Sequence, residues 1–98
     1  MTIFTSSQTI ARRFTQAAVD ERKEDAMRFF CVSLEMIEQG LDLGVDRSFL
    51  LDTARGLHDA LSDLNHAMAR DLDDVGLEVL DERIDLSDLR QVISGLTT

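Results

Sequence analysis

The chain has 98 residues, a formal net charge of −9, one cysteine and no proline, tryptophan or tyrosine. That length predicts a single helical domain over residues 1–98 with a modest core, and the missing proline suits a mostly helical chain. The acidic balance argues against direct nucleic-acid binding or docking on an anionic membrane, because both need clustered Lys and Arg, and the lone cysteine excludes an internal disulfide or a cysteine-rich zinc site.

The charge is unevenly placed. Residues 1–19 carry Arg12 and Arg13 and no acid, whereas residues 20–98 carry eight basic and nineteen acidic groups. Residues 1–19 therefore read as a basic N-terminal arm or first helix, capped by Ser6 or Ser7. Its apolar positions are Ile10, Phe14, Ala17 and Ala18. Six consecutive charged residues follow, Asp20 to Asp25. Beyond them a second apolar face is expected over residues 20–39, built on Met27, Phe30, Cys31, Leu34 and Ile37, with Leu41 following. At 100° per residue the two faces point about 150° apart. This predicts a kink or break near residues 20–24; the alternative is one helix whose first half packs on a different neighbour. Cys31 sits in the run Phe29-Phe30-Cys31-Val32 and reads as a small buried hydrophobe.

Gly40 is the expected C-cap of this second helix. Asp46 is the expected N-cap of a long third one, over about residues 46–75, with Val45 stapled onto Leu50. Leu50, Ala54, Leu57, Leu61, Leu64, Met68, Leu72 and Val75 recur at three- and four-residue steps, the period of one helix face. Gly76 ends the pattern. Thr53, Gly56, Ala60 and Ala67 form a small-residue stripe beside it, and Gly56 is either simply tolerated or marks the close approach of another backbone. Residues 77–94 are expected to hold short C-terminal helices: two turns on Leu77, Leu80 and Ile84, then a helix capped by Ser87 and built on Leu89, Val92, Ile93 and Leu96. The predicted fold is all-α: a bundle of three to four helices, an antiparallel hairpin core around the long helix, and a dimer to enlarge that core.

Several constellations bear on chemistry. Asp59, Asp63 and His66 lie near one helix face, where a metal is conceivable, but Arg70 follows one turn on and a solvated polar face is the preferred reading. His58 flanks the Leu seam as a boundary histidine. Asp20-Glu21-x-x-Glu24 and Glu35-x-x-Glu38 pair carboxylates at one-turn spacing, with ten residues between the blocks. This arrangement resembles the acidic helices of the all-α, MazG-like nucleotide pyrophosphohydrolases, whose pattern is Glu-Glu-x-x-Glu followed by Glu-x-x-Asp. Here Asp20 replaces the first Glu and Glu38 the last Asp. The resemblance covers about a fifth of the chain. It implies Mg²⁺-dependent nucleotide hydrolysis, with Glu21, Glu24, Glu35 and Glu38 converging on the ion.

No phosphate loop, nucleophile elbow or Cys/His dyad is present in the sequence. The favoured function is accordingly a non-enzymatic, cytoplasmic interaction regulator without a cofactor: an antagonist or adaptor that dimerises and binds a heterologous protein, for example a transcription regulator. The hydrolase is the alternative, and a structural subunit of a homo-oligomer the third reading. Leu57, Leu61, Leu64 and Met68 are the candidates for a helix–helix interface. Phe4, Ile10 and Phe14 are the arm residues expected to reach a partner. Core packing is the competing reading for all seven.

Overall fold

The computed structural model describes residues 7–77 and 84–97, with side chains from residue 9 onward. The described residues form three α-helices and no strand: α1 (Ser7–Asp42), α2 (Arg47–Asp74) and α3 (Ser87–Thr97). The protein is all-helical. Helices α1 and α2 form an antiparallel hairpin, and α2 is the element against which both of the others pack. The molecule is a rod of 65 × 19 × 16 Å, little wider than two helices side by side.

The break expected near residues 20–24 does not occur. Helix α1 runs unbroken through the charged run. The reason lies in which residues face inward. The α1 core positions are Val19, Phe30 and Ile37, with Ala26 and Leu34 partly buried against them. These recur at helical spacing along one continuous stripe. Ile10 and Phe14 are 43% and 73% exposed, so the phase conflict dissolves: the N-terminal face is not a core face. The stripe instead passes through Val19 and Ala26, which the charged neighbours disguise.

Cys31 is exposed rather than buried. Phe30 takes the inward position, and Cys31 lies about 100° around the helix from it.

On α2 the long seam holds from Leu50 to Leu72, while Val75 is the half-buried C-cap. Leu50, Ala54, Leu57, Leu61, Met68 and Leu72 are buried, and Leu64 packs partly buried against them. Among the described residues no polar or charged side chain is buried, so this core carries no desolvated charge.

The turns differ from expectation at Gly40. That glycine stays inside α1, and Gly44, with φ +79°, adopts the left-handed conformation. The Val45 amide donates to the Gly40 carbonyl at 2.9 Å and the Gly44 amide to that of Leu41 at 3.2 Å, the paired bonds of a Schellman cap. Gly40 serves a different purpose. A Cβ there would lie 2.9 Å from Leu50 Cδ2, so the glycine lets Leu50 seat on the α1 backbone. Gly76, with φ +74°, closes α2 in the same way: the Leu77 amide donates to the Leu72 carbonyl and the Gly76 amide to that of Asp73, both at 2.9 Å. Asp46 is the N-cap of α2, its carboxylate accepting from the Ser48 amide at 3.1 Å.

The two helical turns expected after Gly76 fall largely on residues 78–83, outside the described residues; residues 84–86 are not helical. Ile84 and Leu86 are buried in the core and lead into α3. The carboxylate of Asp85, not Ser87, serves the start of that helix by accepting from the Ser87 amide at 2.9 Å.

Two glycine substitutions separate conformational need from mere tolerance. Gly44→Ala forces a Cβ into the left-handed region and is expected to cost about 1 kcal/mol. Gly56 lies in the middle of α2, and a Cβ added there would meet nothing within 4 Å, so Gly56→Ala is expected to stabilise by up to about 1 kcal/mol. Urea unfolding of both variants checks the opposite signs.

Candidate interaction surface

None of the three helices has a basic residue in its own last turn. Neighbouring elements supply the cations instead. Arg12 Nε donates to the Val75 carbonyl at the C-terminus of α2 at 2.8 Å. Arg12 lies seven residues before Val19, so it continues the inward stripe of α1 at the level where α2 ends. Arg47, the first residue of α2, donates to the Gly95 carbonyl near the C-terminus of α3 at 2.7 Å. Both satisfy carbonyls near helix ends and place positive charge where the helix dipole favours it. Arg22 adds an interhelical ion pair with Asp71 at 2.6 Å, with both side chains about two-fifths exposed.

Helix α3 is tied along one side of α2. The Asn65 side chain grips the backbone of Ile84 twice: Nδ2 donates to its carbonyl at 3.1 Å, and its amide donates to Asn65 Oδ1 at 2.7 Å. Further along, Arg90 Nε approaches His58 Nε2 at 3.4 Å. Asn65, His58 and Arg47 thus meet Ile84, Arg90 and Gly95 in reverse order, and α3 runs antiparallel to α2. The clamp seats Ile84 and Leu86, and nothing in the sequence marks Asn65 as the residue that does this.

The hydrogen bonds of Ser87 hold the Asp85 carboxyl below its ordinary value of 3.8, with a smaller contribution from Arg90. A carboxyl depressed in the folded state stabilises fully above its ordinary value, and the stabilisation is lost as pH falls through the lower, folded value.

The seven interface candidates divide by exposure. Leu57, Leu61 and Met68 are 8%, 4% and 0% exposed, and Leu64 is partly buried against the core. Their seam is taken up inside the chain and cannot meet a partner unless the hairpin opens. Ile10 and Phe14 are on the surface. Phe4 lies outside the described residues. Sequence reasoning missed the larger exposed set: Phe29, Val32, Met36, Leu43, Val45 and Phe49 are 40–82% exposed. The signal was available. Phe29, Val32 and Met36 lie three and four residues apart, a second helical face beside the core stripe.

That face meets α2 at the turn end. Ser33, Met36 and Gly40 of α1 line a groove of about 320 Å³ with Val45, Phe49 and Thr53. Its mouth is mostly apolar. Of the small-residue stripe beyond it, Thr53, Gly56 and Ala60 are exposed and Ala67 is half-buried; among the described residues nothing lies within 4 Å of a Cβ added at Gly56.

The acidic constellations do not come together. Glu21 and Glu35 are fourteen residues apart on one unbroken helix, about 21 Å along its axis, so the two carboxylate blocks do not converge within the chain. Glu24 instead accepts from Arg28 at 2.6 Å, and Asp20 from Gln16 at 2.9 Å. Asp59, Asp63 and His66 are exposed. Among the described residues no three His, Cys, Asp or Glu side chains are grouped closely enough to hold an ion. No helix is long and apolar enough to cross a membrane among these residues. Comparison with protein-family models, curated proteins and solved structures finds no match to this chain.

Asn65→Ala removes both bonds to Ile84 and is expected to cost about 2 kcal/mol, with α3 amides losing hydrogen-exchange protection before those of α1. Acidification below about pH 4 is expected to loosen α3 as Asp85 protonates, and Asp85→Asn to remove that pH dependence; exchange rates of α3 amides across an acid series check it.

Proposed function

We propose that this protein acts as a non-enzymatic association module, a small acidic regulator of the cytoplasm that self-associates and binds a heterologous protein through exposed helical faces. One observation carries the reading. All ten exposed large hydrophobic side chains of the described residues fall between Ile10 and Phe49. They lie on α1, the first turn and the start of α2, while the remainder of α2 keeps its large apolar groups inward. Singly scattered exposed hydrophobes need no explanation, but contiguous apolar faces on a helix mark places where proteins meet.

The arm and the turn end are distinct surfaces at opposite ends of the hairpin. Ile10 and Phe14 sit beside Arg12 and Arg13 in sequence, in the acid-free stretch that runs up to Val19. Their exposed apolar side chains suit a partner's apolar groove. The body, with its excess of acids, steers basic surfaces instead. A modulator of a transcription regulator or another cytoplasmic protein fits this division, and a bundle of three to four helices arises when such a rod meets a partner's helices.

The nucleotide-hydrolase alternative requires the carboxylates of Glu21, Glu24, Glu35 and Glu38 to converge, and an unbroken α1 works against that within one chain. Affinity capture from the native host with the wild-type protein and with Phe14→Asp tests the proposal. A stable partner retained by the wild type and reduced at least tenfold by the substitution is expected. Capture of nothing by either protein, together with Mg²⁺-dependent nucleotide turnover abolished by Glu24→Gln, would overturn it in favour of the enzyme.

A further inference from the structure

The hairpin has two long sides, and among the described residues only one of them is covered. Helix α3 lies along the side of α2 that carries His58 and Asn65. Phe49 is nine residues before His58, about 180° around α2. The groove lined by Met36 and Phe49 therefore opens on the side away from α3. Phe29 and Val32 extend its α1 wall by two turns toward the middle of the rod, since they precede Met36 by seven and four residues.

We infer that this bare side is the interface with a second copy of the same chain, packed hairpin on hairpin about a two-fold axis. The inference rests on the self-association proposed above and assigns it to a surface. Three features select a second copy as the occupant.

The first is area. A compact monomer of 11.0 kDa exposes about 5,600 Å², whereas this chain exposes 6941 Å². The excess, about 1,300 Å², is more than the roughly 800 Å² that each partner of a standard stable complex buries. Two flat hairpins laid face to face make a four-helix core, the arrangement that restores an ordinary ratio of surface to volume.

The second is charge. Each chain carries −9, so two copies repel wherever charged faces meet. The groove residues Ser33, Met36, Gly40, Val45, Phe49 and Thr53 are all uncharged, as are Phe29 and Val32. A charge-free apolar centre is the composition of homodimer interfaces, whereas transient heterologous contacts are more polar.

The third is shape. Protruding Phe49 and Met36, 63% and 65% exposed, sit beside a hollow floored by Gly40. Ridge and hollow on one patch are what a two-fold contact requires, because residue i meets j while j meets i.

Sedimentation velocity over a concentration series tests the assignment, using the wild type, the double variant Met36→Asp/Phe49→Asp, and Phe14→Asp at the other end of the rod. The wild type is expected to dimerise at micromolar concentration and to dimerise more tightly as salt is raised, because salt screens the repulsion between the acidic chains. The double variant is expected to raise the dissociation constant at least about a hundredfold, since it places two charges per chain in the apolar contact. Its helical circular dichroism is expected to stay unchanged, both side chains being exposed in the single chain. Phe14→Asp is expected to leave the dimer intact. A wild type that remains monomeric at high concentration overturns both the interface and the self-association it rests on. A double variant that dimerises as well as the wild type overturns only the surface assignment, as does a dimer that weakens with salt or is lost in Phe14→Asp. A monomeric wild type whose host partner is lost in the double variant would give the patch to a foreign protein instead.

Discussion

The burial of one apolar seam on α2 against one apolar stripe on α1 is the contact on which the rest of the molecule depends. Leu50, Leu57, Leu61, Met68 and Leu72 face Val19, Phe30 and Ile37 in a core without buried polar groups among the described residues. An apolar contact of this kind is strong but slides easily, because methyl groups carry no register of their own. The register is fixed at the two ends. Gly40 lets Leu50 seat against the α1 backbone at the turn, and Arg12 holds the Val75 carbonyl at the far end. The exposed Arg22–Asp71 pair lies between them and adds little, since a pair so open to water gains at most about 1 kcal/mol.

One seam between two helices leaves much surface uncovered. That geometry explains why the chain is a rod and why large apolar residues remain outside. Helix α3 covers one side of α2: it buries Leu89 and Leu96 in the common core, and the Asn65 clamp on Ile84 and the Arg47 bond to Gly95 add polar ties. Their positions decide which side of the hairpin stays bare. Cross-capping by Arg12 and Arg47 uses two of ten basic residues in a chain with nineteen acids. Arg12, Arg22 and Arg47 thus each link two elements of the chain.

The same straightness of α1 bears on chemistry. A helix rises 1.5 Å per residue, so acidic blocks fourteen residues apart stay about two nanometres apart unless the helix folds back. Glu24 and Asp20 of the first block pair locally with Arg28 and Gln16 instead. Association is what the remaining features support: uncharged, apolar, helical faces on an elongated support.

The sequence by itself determined the helical class, the α2 seam, the Asp46 cap and the stop at Gly76, because each is encoded by local spacing or by one residue's backbone preference. It also held, unread, the exposed Phe29–Val32–Met36 spacing. The sequence left the continuity of α1 open between a kink and one helix, since a charged run hides Val19 and Ala26 and a helix's inward face is chosen by its neighbour. Gly40 reads as a cap until Leu50 is seen beside it. Cys31 reads as buried until Phe30 claims the inward position. Which side of the hairpin is covered depends on contacts between residues nineteen to forty-eight positions apart, Asn65 with Ile84 and Arg47 with Gly95. Such contacts have no period and no motif, so tertiary structure alone decided them, and with them the face left open for a partner.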